Sequence, residues 1–135
     1  MLAAAGLARL ASGERGARAL AALRGLTRER LDPAVFVPAP SQGALALQCR
    51  ARDTTLRETL AALEHAPTRT AVAAERLLLG EVQGGCDVAF GCYCVGQNGH
   101  YQLYAMLERG GAVASRSLTG AEPLALAERL WPALE

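Results

Sequence analysis

Residues 88–118 read VAFGCYCVGQNGHYQLYAMLERGGAVASRSL, and the period of that stretch decides the fold. Apolar residues recur every second position, which is the signature of half-buried strands. The spacing predicts strands over 88–96, 101–108 and 112–118. Asn98-Gly99 joins the first two, because residues of this type tolerate the positive φ that a tight hairpin demands. Gly110-Gly111 turns the chain again. In the second strand Tyr101, Leu103, Ala105 and Leu107 share a face, and Cys92 and Cys94 share one in the first.

On either side the period lengthens to that of a helix. Asp53 is a good N-cap for a helix over 54–64, with Leu56, Leu60 and Leu63 as its apolar stripe. Pro67 suits the first turn of a helix over 67–82, striped by Ala71, Ala74, Leu78 and Val82. Gly84-Gly85 breaks it. After Gly120, Pro123 opens a closing helix with Leu126, Leu130 and Leu134 along one side. The order helix, helix, three strands, helix is an α+β arrangement: a three-stranded antiparallel sheet with helices on one face.

Residues 1–52 read differently. Two short Ala/Leu/Arg helices, 2–11 and 16–24, are separated by Ser12-Gly13, and Leu20 and Leu23 lie on one face of the second. The segment 31–42, LDPAVFVPAPSQ, holds three prolines and is expected to be extended. Gly43 then opens a strand-like run, ALALQCR. These pieces cannot close a core unaided. The chain is therefore expected to comprise the end of an α/β domain with its connector, 1–52, followed by an α+β domain, 53–135.

With 51% apolar residues the chain is expected to fold rather than remain disordered. Its net charge of +1 gives no general argument for nucleic acid. All the basic residues are arginine, and residues 1–52 hold eight of them against three acids. Arginine-only usage often reflects genome composition, which is the favoured reading; the functional alternative is a basic N-terminal half that faces an anionic ligand. No apolar run is long enough to span a bilayer. The N-terminus lacks a basic region ahead of its apolar stretch and is interrupted by Arg9, Arg15 and Arg18, so it reads as folded protein and the chain as cytoplasmic. Four cysteines without a secretion signal argue against a disulfide framework. Cys92-Tyr-Cys94 has one intervening residue, fewer than zinc sites use, and neither His65 nor His100 is near it, so no metal is expected.

The chemistry is expected after Ala74-Glu75-Arg76, where a spacer leads to Gly84-Gly85-Cys86-Asp87-Val88. The glycine pair removes bulk around the Cys86 sulfur and lets something large approach it. A plain structural cysteine after a glycine cap is the bland alternative. This pattern is similar to the cofactor-attachment region of hydroxymethylbilane synthases (porphobilinogen deaminases). Further resemblances follow in the family's order. Ala5-Gly6-Leu7-Ala8-Arg9-Leu10 resembles its A-G-L-x-R-L helix, Pro38-Ala39-Pro40-Ser41-Gln42-Gly43-Ala44 its P-A-x-G-Q-G-A segment, and Leu63-Glu64-His65 the stretch before the attachment helix.

The resemblance implies a transferase of tetrapyrrole and heme biosynthesis that condenses four porphobilinogens into hydroxymethylbilane. It implies a dipyrromethane primer joined to Cys86 by a thioether. It also implies that Arg9 binds side-chain carboxylates of the pyrrole chain, as the forked guanidinium suits, and that Gln42 and Gly43 lie near the cleft at the domain connection. Arg76, Gly84 and Gly85 are its possible supports; a helix-surface or ion-paired arginine is the alternative for Arg76, and an exposed helix arginine is the alternative for Arg9. The family's catalytic aspartate has no counterpart in this chain, so no catalytic residue is nominated and the chain alone is expected to be inactive. Its partners would be porphobilinogen, pyrrole-chain intermediates and the N-terminal half of the enzyme. Ser41 departs from the family's glycine and is less tolerant of positive φ, and Ala89 stands where proline is common. Two other classes stand beside this one: a non-catalytic binding module that keeps the fold, and a thiol-redox module, which lacks a Cys-x-x-Cys pair.

Overall fold

A computed structural model describes residues 4–11, 16, 18, 21, 24–82 and 88–135. The chain divides into two compact units, Met1–Asp32 and Pro33–Glu135. In the first, helix α1 spans Ala4–Ala11 and carries Arg9 in its last turn, where the helix dipole favours a cation. Most of the helix expected over 16–24, with Leu20 and Leu23, lies outside the described residues.

The second unit is built on three strands, β1 (Phe90–Gln97), β2 (His100–Arg109) and β3 (Ala112–Gly120), paired antiparallel in the order β1-β2-β3. Both hairpins are two-residue turns. Gln97 faces His100 across Asn98 (φ 51°) and Gly99 (φ 77°), and Arg109 faces Ala112 across Gly110 (φ 61°) and Gly111 (φ 85°). Positive φ at both central positions matches the turn twist to that of the strands. The register sets Cys92 opposite Ala105 and Cys94 opposite Leu103, which in turn faces Leu118. That face of the sheet is the core.

Two helices cover it. Helix α3 (Ala66–Glu81) delivers Ala74 and Leu78, and helix α4 (Pro123–Leu130) delivers Leu126, Ala127 and Leu130. A 3-10 turn over Trp131–Ala133 follows, and it brings Leu134 back into the same cluster. The expected α+β meander with helices on one face is what forms. The largest fully buried side chains, Leu78, Leu103, Leu107, Leu130 and Cys92, all belong to it. No helix among the described residues is long and apolar enough to cross a membrane.

Two expectations need correction. Helix α2 spans Thr54–Ala61, shorter than 54–64, and buries none of its residues. Asp53 caps it as expected, through Oδ1 to the Leu56 amide at 3.2 Å. It stops early because His65 serves as the N-cap of α3, which leaves residues 62–65 to make the turn. Leu56 and Leu63 stay exposed, since α3 and α4 already cover the core face. The strand expected over 44–50 does not form either. The segment is irregular, with Leu45 86% and Leu47 62% exposed, because a strand requires a neighbour for its backbone groups and no described strand lies beside it.

Candidate functional site

The site is built where the connector crosses the edge of the sheet. β1 is an edge strand, and its outward N–H groups at Cys92 and Cys94 are not used by β2. The Cys92 amide donates to the Pro38 carbonyl at 2.8 Å. The Cys94 amide donates to Oε1 of Glu75 at 2.8 Å. The other oxygen of that carboxylate, Oε2, accepts from the Ser41 amide at 2.6 Å. Glu75 comes from α3 and is only 5% exposed, the one buried charged side chain among the described residues. It joins helix, strand and connector through charge-assisted bonds, which are the strong kind.

The connector forms a tight double turn over this carboxylate. The Gln42 amide donates to Ala39 and the Ala44 amide to Ser41, each at 3.1 Å. Ser41 adopts φ 63° and Gly43 φ 86°. The serine that departs from the family pattern therefore takes the left-handed conformation glycine would take. Gly43→Ala is expected to cost about 1–2 kcal/mol for its strained Cβ. Ser41→Gly is expected to gain no more than about 0.5 kcal/mol, because relief of strain is offset by the entropy of an added glycine. Urea midpoints of the two variants check both.

A pocket of about 270 Å³ opens between the turn, the first half of α3 and β1. Ser41, Gln42, Gly43, Thr68, Glu75 and Cys92 are among its walls. Glycine is required at one further point: a Cβ on Gly91 would stand 2.6 Å from the Val37 carbonyl oxygen.

Electrostatics make this junction inert as thiol chemistry. Burial first, then the Glu75 carboxylate and the Cys94 thiol, push the Cys92 thiol far up. Burial, followed by Glu75, pushes Cys94 up to about 11. Nucleophilic cysteines need the opposite shift, so the redox reading finds no support here. The raised values have a consequence for stability. Below the ordinary thiol value of 9.0 both forms are protonated and the contribution is complete. Above it the unfolded chain ionises first, and stability is lost as pH climbs through the folded values. With both thiols ionising only when unfolded, the slope approaches about 2.7 kcal/mol per pH unit. Urea midpoints should fall from about pH 9 to about pH 11, and Cys92→Ala should flatten the fall.

Of the residues singled out in the sequence, Gln42 and Gly43 are brought to this pocket. Arg76 is exposed on α3 and is not among the pocket walls, to which its neighbour Glu75 belongs. Arg9 is exposed in α1, in the other unit. Gly84, Gly85 and Cys86 lie outside the described residues. Glu75, the middle residue of Ala74-Glu75-Arg76, sits at the i+4 position from Ala71 and i−3 from Leu78, within the buried stripe. An acid at a core spacing was the available signal. No group of three or more metal-ligating side chains occurs among the described residues. The pocket by itself does not suit a dipyrromethane with acetate and propionate groups: its walls hold no cation and include the Glu75 carboxylate.

Residues 1–58 match the family model described as porphobilinogen deaminase, dipyromethane cofactor binding domain. The chain is 47% identical over 93 residues to a porphobilinogen deaminase of Mycolicibacterium gilvum, covering 63% of this chain and 30% of that one. It is 56% identical over 63 residues to that of Mycobacterium leprae, covering 47% of this chain and 20% of that one. It is 42% identical over 103 residues to that of Brevibacillus brevis, covering 74% of this chain and 33% of that one. The chain thus spans a third or less of the length of these relatives. A match over 74% of this chain, wherever it starts, must take in the middle, from Gln42 through Glu75 to Cys86.

Proposed function

We propose, for a chain that belongs to the porphobilinogen deaminase family, that it is the C-terminal portion of that enzyme and that Cys86 is the attachment point of the family's dipyrromethane cofactor. The whole enzyme would be the transferase that assembles hydroxymethylbilane from four porphobilinogens. The observation that carries this reading is the 42% identity to the Brevibacillus brevis enzyme over a stretch that includes the whole path from Gln42 to Cys86.

The roles of this chain's residues follow from their chemistry. Helix α3 ends at Glu81, and Gly84-Gly85-Cys86 follows it in sequence; two residues without side chains next to the cysteine suit the approach of a bulky group to its thiol. When bound, the cofactor supplies a pyrrole carbon to which further units are added. Arg9 pairs with the carboxylates of the pyrrole chain. Gln42 and Gly43 stand at the connection, fixed by the double turn. The pocket beside Glu75 is a structural joint rather than the cofactor's cradle. The remaining cations, and the family's aspartate, belong to the portion that this chain does not contain. Stabilising charged intermediates requires preorganised groups, so the chain alone makes no tetrapyrrole. The rest of the deaminase is its macromolecular partner, and the exposed Leu45 and Leu47 on an unpaired extended segment are the surface such a partner would cover. Its compartment is the cytoplasm, where Cys49, Cys92 and Cys94 stay reduced.

The test is intact mass after co-expression with the N-terminal portion of a porphobilinogen deaminase and incubation with porphobilinogen. A covalent dipyrromethane adduct is expected, with complete loss in Cys86→Ser. An unmodified chain that still binds its folded partner would turn the assignment to a non-catalytic binding module. Tetrapyrrole made by the lone chain would overturn the claim of inactivity.

A further inference from the structure

We propose that Glu75 is a positioning residue of the deaminase. Its carboxylate fixes the Gln42–Gly43 turn against the edge of β1, and so sets where that turn stands relative to the helix that leads to Cys86. The proposal rests on the reading of Cys86 as the cofactor anchor.

The first argument is chemical. Two backbone donors, from Ser41 and Cys94, converge on one side chain from segments 34 and 19 residues away. A carboxylate accepts on both oxygens and presents no donor. A glutamine of the same length would turn an NH₂ toward one of the two N–H groups. An apolar residue would leave both unpaired in a buried place. The joint is therefore specific to a carboxylate at this reach.

The second argument is conformational. Ser41 is held at φ 63° directly before Gln42, and a non-glycine residue keeps such a conformation only when its surroundings over-determine it. The surroundings here are the Glu75 bond and the Cys92–Pro38 bond. Release of the first frees the turn to relax, and Gln42 and Gly43 move with it. Burial of a charge is a poor route to stability alone, since a well-packed apolar side chain does as well. The carboxylate's return is geometric: it determines one arrangement of three segments.

The third argument is placement. Glu75 lies on the helix that ends at Glu81, five residues before Cys86 in sequence, and the turn it holds carries the Gln42-Gly43 pair that resembles the family's segment at the domain connection. One side chain thus ties the connector to the helix that precedes the anchor in sequence. Small misplacements of a holding group cost large factors in rate.

The test compares Glu75→Gln with Leu130→Ala, a core truncation outside the pocket walls. In the full chain, amide exchange at Ser41, Gln42 and Ala44 is expected to quicken about 10-fold or more in Glu75→Gln, while β2 amides stay protected as in the parent. In the co-expressed enzyme, adduct formation on Cys86 is expected to slow about 10-fold or more in Glu75→Gln, even at saturating porphobilinogen, and to be unchanged in Leu130→Ala. Unchanged turn amides, unchanged loading in Glu75→Gln, or equal slowing in Leu130→Ala would each overturn the proposal. A parent chain that takes up no adduct would instead sink the anchor reading, and the exchange result would then decide alone whether Glu75 fixes the turn.

Discussion

Glu75→Ala is expected to lower the unfolding free energy of the second unit by about 4 kcal/mol, the largest loss of any single change at the joint. Two charge-assisted bonds disappear, each worth about 1.5–3 kcal/mol. The Ser41 and Cys94 amides are left without acceptors where the side chain is 5% exposed. Against this stands the relief of a buried charge, which recovers part of the loss. The remainder is a large fraction of the roughly 5–15 kcal/mol that holds a domain together. Urea unfolding reads it as a lower midpoint at an unchanged slope. A loss under about 1 kcal/mol would mean that water entering the pocket satisfies both amides, and the joint would then be ornamental.

How far the sequence foretold this arrangement depends on which force fixes each part. Asn98-Gly99 and Gly110-Gly111 announce hairpins because the turn itself demands residues that accept positive φ, a local requirement. Leu103, Ala105 and Leu107 announce their face because the sheet buries only one side. The stripe Ala71, Ala74 and Leu78 is legible for the same reason on a helix. The errors come where the deciding partner is distant. The run ALALQCR over 44–50 is strand-like, but a strand exists only beside another strand, and the sequence of the segment cannot say whether one is present. Leu56 and Leu60 form a genuine stripe on a helix that buries none of its residues, and Leu63 falls in the turn after it. Glu75 was obscured because hydropathy reads an acid as solvent-facing. Its burial follows from two amides 34 and 19 residues away, on an edge strand and a turn that only the assembled fold brings together.

Gly91→Ala is expected to cost about 2–3 kcal/mol and to lift the connector from the sheet. Its Cβ would lie 2.6 Å from the Val37 carbonyl oxygen and 3.2 Å from Val37 carbonyl carbon and Cβ. These are mostly backbone atoms, so no side-chain rotation relieves the clash. β1 cannot withdraw, because Gly91 faces Met106 in a strand paired along its whole length with β2. The connector must move instead. It would surrender the Cys92–Pro38 bond and uncover Val37, now 7% exposed, whose burial is worth about 1.5 kcal/mol. Part of the loss is offset because alanine restricts the unfolded chain more than glycine does. Faster exchange of the Cys92 amide would locate the damage. The decisive measurement is the cycle with Glu75→Ala. If one joint holds the connector, the first substitution already frees what the second would free, and the double variant loses less than the two single losses combined. Strict additivity would mean that Gly91 and Glu75 secure the connector at two independent points.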